Sequence, residues 1–584
     1  MGLIFHDLTK FQDALEIIKK NMVELKDAEE VSLYNATGRI SAETIFSNNN
    51  LPLFSRSQVD GYAIIASDIK GASYDSPVSL KLAGETNIGE KAVKFPGSGK
   101  CIKVPTGGVI PVGADAMVPF EDTKQEGNSI QFFHEVNRFN ELSNAGIDVI
   151  KGEKLLDSNV IIDPRNIAVL ASTGIGKIKV KRKLTIGIVS TGNELLYPGT
   201  PYKEGKIFES NSLSIKAELS KYPAFNVNDY GIIEDNYDKI KNAIDGSIEE
   251  NDVTLTIGST SAGDHDMVYK ILGEKTPGII FHGIRVKPGK PAIFAMSGEK
   301  IIFGLPGFPV SSMMILYSLV MPNLFRKTGY EFSEVAVDAI TGQRFELHQG
   351  NTDLLLIKLV KHGETYKAYQ VPGNSGSISR ISKATGYSII DSRTSFMDIN
   401  SKINVKLFTG NIPSILIYGQ YLPAMEKLPS SVSGLSTFVE SGFNEIKRSM
   451  ENADADVYLW NYEELPDDKN YDSSITIEIP YGIAYTEENY STMAIPYRGS
   501  GLYEKSLAIA EGVDLTYLDK PEIICDYVKN RRCGAGITYR EYAELYSLKF
   551  IEKGKITFHV YINKNSTKFN ELKEAFNSIA GKTR

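Results

Sequence analysis

From Leu184 onward, strand-like runs alternate with helix-like ones, and each strand-like run ends in a loop of small and polar residues. The order is strand LTIGIVS, helix SLSIKAELSKY, strand DVTLTIG, strand IRVKPGKPAIFA, strand KIIFGLP and helix VSSMMILYSLVMPNLF. Such alternation predicts a parallel sheet covered on both faces. Ligands of open α/β sheets bind beyond the carboxyl ends of the strands, so the loops there are the informative residues. STGNEL places Ser190, Gly192, Asn193 and Glu194 at one such end. GSTSAGDHD places Ser261 and Gly263 at another, beside Asp264 and Asp266, whose spacing lets two carboxylates share a hard cation. GLPGFPVSS offers a stiff loop through Pro306, Gly307 and Pro309, and Ser311 lies in a helix start that can receive an anion. Lys287 and Lys290 in IRVKPGKP are flexible point charges suited to phosphate or an oxyanion. Each loop alone reads equally well as a polar turn. Together they predict a pocket for a phosphorylated ligand.

With 584 residues the chain exceeds what one core can serve, and three to five domains are expected. The fold class expected is multidomain α/β and β. Residues 1–45 and 141–180 read as a helical linker domain, with Phe11, Leu15 and Ile18 on one helix face and a second helix near PRNIAVLASTGIG. Residues 46–140 read as a β-rich insertion of short runs between Gly and Pro turns, 181–330 as the α/β domain, and 331–410 as a small β-barrel. A break at FTGNIPS precedes another α/β unit, residues 411–584, expected to fold separately.

Composition excludes several classes. No apolar stretch approaches the ~20 residues of a membrane span. No Lys/Arg stripe offers the phosphate-neutralising charge that nucleic acid demands. Three cysteines without CxxC spacing give neither a disulfide framework nor a zinc site, and the seven histidines contain no HxH or HExxH. MGLIFHDLTK lacks the basic and apolar regions of a secretory signal, so a cytoplasmic setting is expected.

Two Gly-rich stretches are turns. GSGKC has Lys94 where a phosphate loop needs glycine, and TGIGKIK lacks the third glycine of a dinucleotide fingerprint. FSRSQVDGYAI is harder to place, because Asp60 before Gly61 is by itself an Asp-Gly turn into a strand.

SRSQVDGYAI, VPTGGVIPVGADAMV, STGNEL, FESNS, GSTSAGDHD, RVKPGKP and GLPGFPVSS occur in the order and spacing of the MoeA family, the molybdopterin molybdenumtransferases related to the gephyrin E domain. The resemblance covers about residues 1–408. It implies insertion of molybdate or tungstate into adenylylated molybdopterin, with Mg²⁺ assisting and AMP released. It assigns catalytic roles to Asp60, Thr106, Glu194, Asp235 and Asp266, and metal binding to Asp60, Asp264 and Asp266. Ser190, Gly192, Asn193, Ser261, Gly263, Lys287, Lys290, Pro306, Gly307, Pro309 and Ser311 fall on its cofactor-binding loops. It further implies a homodimer, with a molybdopterin adenylyltransferase and molybdoenzymes as candidate partners. This sequence departs from the family at Ile257-Gly258-Ser259, at Ser143 to Asp148, at Glu209 in the ESN triplet, and at Phe308. Two alternatives remain open at this point: an adenylyltransferase sharing the α/β fold, and a molybdate-responsive regulatory fusion with a relict core.

Residues after 411 resemble the periplasmic-binding-protein-like domain fused to some MoeA proteins. CGAGI places glycines before an expected helix, whose start can receive an anion. Against that, 19 Lys and Arg face 25 Asp and Glu in 411–584, a net charge of −6 that repels anions.

Overall fold

The computed structural model describes residues 8–258, 267–420, 422–440, 443–451, 454–461, 469–488, 490–496, 501–518 and 521–582. The chain divides into two compact units: residues 1–284, 291–307 and 315–332 form one, and residues 285–290, 308–314 and 333–584 the other. No helix among the described residues is long and apolar enough to cross a membrane.

The first unit is organised around a six-stranded sheet. Its order is Phe225–Ile233, Leu184–Thr191, Val253–Ile257, Lys300–Leu305, Ile293–Ser297 and Pro277–His282. The first four strands are parallel and the last two antiparallel to their neighbours. The chain leaves Leu184–Thr191 for a strand on one side and returns to Val253–Ile257 on the other. That reversal makes the end of Leu184–Thr191 a topological switch point, where a crevice opens. Val189, Ile240, Ile244, Ile271 and Ile302 form the core between this sheet and the helices Tyr237–Glu250 and Met267–Gly273. The helix packs unusually close, since a Cβ on Gly187 would lie 2.0 Å from Ser247 Oγ and 2.8 Å from Asn251 Nδ2. At the amino ends of Leu184–Thr191 and Val253–Ile257, Arg182 grips Asp252 with both guanidinium arms, at 2.7 and 2.8 Å, while the Thr185 N–H and hydroxyl donate to the same carboxylate.

A second six-stranded sheet belongs to the insertion, in the order Ala116–Pro119, Gly61–Ile64, Lys100–Val104, Val78–Glu85, Ser129–Phe132 and Thr123–Glu126. Tyr62, Ile64, Leu80, Val118, Ile130 and Phe132 fill its core. Among the described residues, the segment read as helical over 1–45 holds one α-helix, Phe11–Asn21, with Phe11, Ala14 and Ile18 buried. Beyond it, Ala28–Ser32 is a strand that pairs antiparallel with Lys177–Lys181. The second expected helix, Pro164–Ser172, is present and begins at a capping box between Asp163 and Asn166.

In the second unit five strands close into a barrel: Thr352–His362, Thr365–Gln370, Ala336–Thr341, Lys402–Leu407 and Gly386–Ile390, which pairs back to Thr352–His362. Phe345, Leu355, Ile357, Leu359, Ala368 and Val405 fill it. Val286–Lys287 pairs in parallel with Thr352–Asp353. IRVKPGKPAIFA is therefore not one strand of the α/β sheet: its first part adds to the barrel and only Ile293–Ser297 joins that sheet.

Residues 411–582 contribute an eight-stranded mixed sheet. Two long strands, Tyr471–Tyr485 and Lys549–Asn563, run antiparallel through its centre. The parallel strands Ser436–Glu440, Ile415–Gly419 and Val457–Trp460 lie on one side. Ala535–Tyr539, Thr492–Pro496 and Asp514–Leu518 lie on the other. CGAGI runs into the buried strand Ala535–Tyr539, and the following helix starts only at Arg540. Its glycines serve close packing instead, because a Cβ on Gly536 would lie 2.2 Å from Ile524 Cγ2. Val360 and Tyr369 of the barrel share a buried cluster with Leu416, Tyr418, Tyr458 and Trp460. Lys358 Nζ also donates to the Phe438 carbonyl, and Lys367 pairs with Asp454. The barrel and the C-terminal sheet thus have a common hydrophobic core.

Candidate active site

The strand ends of the first unit's α/β sheet come together through glycines. A Cβ on Gly258, which has φ +88°, would lie 2.7 Å from the Thr191 carbonyl oxygen, and one on Gly307 would lie 3.7 Å from Gly258 Cα. The positive φ of Gly258 and its closeness to the Thr191 carbonyl require glycine there, whereas a side chain on Gly307 would make ordinary contact.

After Thr191 the chain folds over itself. A Cβ on Gly192 would meet the Glu194 carboxylate at 2.7 Å. Asn193 and Asp235 clasp one another: the Asn193 N–H donates to Asp235 Oδ2 at 3.1 Å, and the Asp235 N–H to Asn193 Oδ1 at 3.0 Å. Lys206 Nζ donates to the Asn193 carbonyl, and the Ile207 N–H to that of Glu194. The structure thus joins Gly192, Asn193, Glu194 and Asp235 in one group, 43 positions of sequence apart at its extremes by residue number (235 − 192).

Three oxygens at this sheet edge are buried without a hydrogen-bond partner: Ser190 Oγ, Asp235 Oδ1 and Asn211 Oδ1. Asn211 is held by its other end, Nδ2 donating to the Gly307 carbonyl at 2.7 Å. Buried polar atoms normally find partners, so these three oxygens are candidates for ligand contact. Glu209, the longer acid of the ESN triplet, is committed elsewhere. It is 4% exposed and accepts from the Ser212 N–H at 2.7 Å and the Ser212 hydroxyl at 2.8 Å, fixing the start of helix Asn211–Leu219.

In the insertion, Asp60 and Thr106 form a second group. Asp60 Oδ1 accepts the Thr106 N–H at 2.8 Å, and the Asp60 carbonyl accepts the Phe120 N–H at 3.0 Å. Both side chains are exposed. The glycine after the acid has its own reason, since a Cβ on Gly61 would lie 2.1 Å from the Val118 carbonyl oxygen.

In the second unit, exposed Lys287 meets a residue that sequence reasoning missed. Its Nζ lies 2.6 Å from His348 Nε2, and His348 Nδ1 lies 2.8 Å from Asp353 Oδ1. Nothing in LHQGNTDL signalled this, because the contact depends on the short parallel pairing of Val286–Lys287 with Thr352–Asp353. Lys290 is exposed. The helix following Phe308 has less anion-binding capacity than expected: Pro309 carries no N–H and the Val310 N–H donates to the Ser375 carbonyl at 3.1 Å. Ser311 is buried at 5% exposure, while Phe308 is 63% exposed. Pro306 is buried and Gly307 exposed. Ser261, Gly263, Asp264 and Asp266 lie outside the described residues. Among the described residues no three His, Cys, Asp or Glu side chains converge as a metal cage.

A topological switch point, closely approaching strand ends and unpartnered buried oxygens define an α/β protein of the class that binds ligands beyond its strand ends, here carrying a β insertion and a barrel. Two family profiles match it: "MoeA N-terminal region (domain I and II)" over residues 9–174 and "Probable molybdopterin binding domain" over residues 187–326. The molybdopterin molybdenumtransferase of Haemophilus influenzae is 33% identical over 302 residues, covering 52% of this chain and 73% of that protein. That of Bacillus subtilis is 28% identical over 392 residues, covering 65% and 90%. The crystal structure of the MoeA molybdopterin biosynthesis protein from Pyrococcus horikoshii superposes with a TM-score of 0.61 at 30% identity, covering 69% of this chain and 100% of that one. The chain belongs to the MoeA family of molybdopterin molybdenumtransferases.

Proposed function

We propose that this protein inserts molybdate or tungstate into adenylylated molybdopterin and releases AMP. The observation that carries the reading is the Asn193–Asp235 clasp beside orphaned Ser190 Oγ and Asp235 Oδ1, at the sheet edge where the family binds its pterin. A water oxygen adds at the pterin-side phosphorus, and the bond from that phosphorus to the bridging oxygen breaks. AMP leaves with that oxygen and its electron pair, and the water's proton passes to a carboxylate. One oxygen of the oxyanion leaves as water with the two thiol protons as the dithiolene sulfurs bond the metal. The protein's part is to neutralise charge on the phosphates and hold the reacting atoms in line. Lys287 supplies a positive charge, and Glu194 and Asp235 flank the loop after Thr191. Asp60, with Thr106, and Asp266 take the remaining acidic roles that the family resemblance gives them.

The oxygens of Asp235, Ser190 and Asn211 are hard donors of the kind Mg²⁺ accepts, and Asp60, Asp264 and Asp266 are the family's further carboxylates. When bound, the cation would withdraw charge from the phosphate oxygens of the substrate.

Family likeness supports a homodimer in which one chain's Asp60 serves its partner's site. Three free thiols, Cys101, Cys525 and Cys533, suit a reducing cytoplasm. A molybdopterin adenylyltransferase that hands over the substrate and molybdoenzymes that take the product are the fitting partners. The test is AMP release from adenylylated molybdopterin on adding molybdate or tungstate with Mg²⁺. ATP consumption with metal-free molybdopterin, in place of AMP release, would instead identify an adenylyltransferase.

A further inference from the structure

We infer that His348, oriented by Asp353, is a positioning residue that aims the Lys287 ammonium at the substrate phosphate. The inference rests on the reading of Lys287 given above.

Asp353 is 2% exposed, in the barrel strand Thr352–His362. A carboxylate so deeply placed must have its oxygens satisfied. Both are turned to the same residue: Oδ2 accepts the His348 backbone N–H at 2.7 Å, and Oδ1 faces His348 Nδ1 at 2.8 Å. An ionised carboxylate has only lone pairs, so Nδ1 carries the ring proton. That leaves Nε2 as an acceptor, and the group facing it at 2.6 Å is Lys287 Nζ, which has only protons to give. One arrangement alone avoids two donors meeting: neutral imidazole with its proton on Nδ1, accepting from the ammonium.

Holding one ammonium proton leaves two for an anion. It also removes the freedom of a four-carbon stem that would otherwise sample many rotamers before each encounter. Lys287 is further tied through its backbone, since Val286–Lys287 pairs with Thr352–Asp353, the strand that supplies the acid. Lysine, histidine and aspartate are thus fixed on one barrel edge. An exposed Lys–His contact made only for stability would contribute little. A buried acid with one oxygen on the His348 backbone N–H and the other on its ring is better explained by what the imidazole holds.

The test measures KM for adenylylated molybdopterin and kcat for AMP release with the full-length protein. Lys287→Ala is expected to raise KM about tenfold or more, and His348→Ala about fivefold with kcat within about twofold. His348→Gln, whose amide oxygen accepts the same proton, should recover most of the loss. On the Lys287→Ala background, His348→Ala should add nothing. If His348→Ala does not fold, His348→Gln against His348→Met, similar in length but without a strong acceptor, makes the same comparison. An unchanged KM in the His348 variants while Lys287→Ala raises it overturns the positioning role. An equal His348 effect on both backgrounds overturns it too. An unchanged KM in Lys287→Ala overturns the prior reading of the lysine and this inference with it.

Discussion

The Asp60 carboxylate accepts the backbone N–H of Thr106 at 2.8 Å, so the acid at the Asp-Gly turn ties two loops of the insertion through a single oxygen. Its exposed position leaves the other oxygen to solvent or to substrate. An asparagine can keep the Thr106 bond through its amide oxygen while losing the charge. Asp60→Asn is therefore expected to unfold within about 0.5 kcal/mol of the parent and to lose AMP release almost completely. Denaturant melts together with product assays check this, and near-normal turnover would return Asp60 to a purely structural turn.

Gly61 is a sharper structural test in the same turn. A methyl group there would press on the Val118 carbonyl, which cannot swing aside without breaking the strand pairing of Gly61–Ile64 with Ala116–Pro119. Gly61→Ala should destabilise the insertion by about 3 kcal/mol, and local amide exchange in these two strands should report it. Unchanged protection there would mean the strands part more easily than their register indicates.

Arg182 and Asp252 set the acid stability of the α/β sheet. Burial acts to raise the Asp252 carboxyl, but the Arg182 guanidinium and Thr185 donors outweigh it and bring it down to about 2. A depressed carboxyl stabilises the fold above the ordinary value of about 4, contributing roughly 2 kcal/mol that fades as pH falls toward about 2. Arg182→Met should cost about 3 kcal/mol at neutral pH, because the buried acid loses its partner, and should flatten the loss of stability between pH 4 and about 2. Denaturant midpoints measured across that range provide the check.

The common core of barrel and C-terminal sheet gives a prediction opposite to the expectation of a separately folded module. Ending the chain at residue 410 would bare Val360 and Tyr369, each 1% exposed in the whole chain. The truncated protein should aggregate or melt well below the full-length protein in a thermal scan. A soluble truncation with an unshifted melting point would show that the shared cluster contributes little.

Much of this was legible because small residues and strand ends leave local marks. STGNEL and the prolines of GLPGFPVSS sit where strand–helix alternation put them. DVTLTIG and KIIFGLP became neighbouring strands, and the strands expected over 331–410 formed where the sequence pattern put them. What escaped reading depends on pairing between distant segments. Lys287 was assigned to the α/β sheet because IRVKPGKPAIFA looks continuous, whereas two of its residues prefer the barrel edge and bring the lysine to His348. Glu209 stands out in the sequence only as a departure from the family, and its carboxylate is taken up by Ser212 at a helix start. CGAGI looked like a helix start, but its apolar neighbours draw it into a buried strand.

The central claim is transfer of the metal oxyanion with loss of the adenylate. Its most direct measurement follows AMP and pterin-bound molybdenum together, starting from adenylylated molybdopterin, molybdate and Mg²⁺. The account predicts AMP release that depends on the oxyanion and matches the metal incorporated one for one. AMP release indifferent to molybdate and tungstate, or metal uptake without AMP, would contradict it.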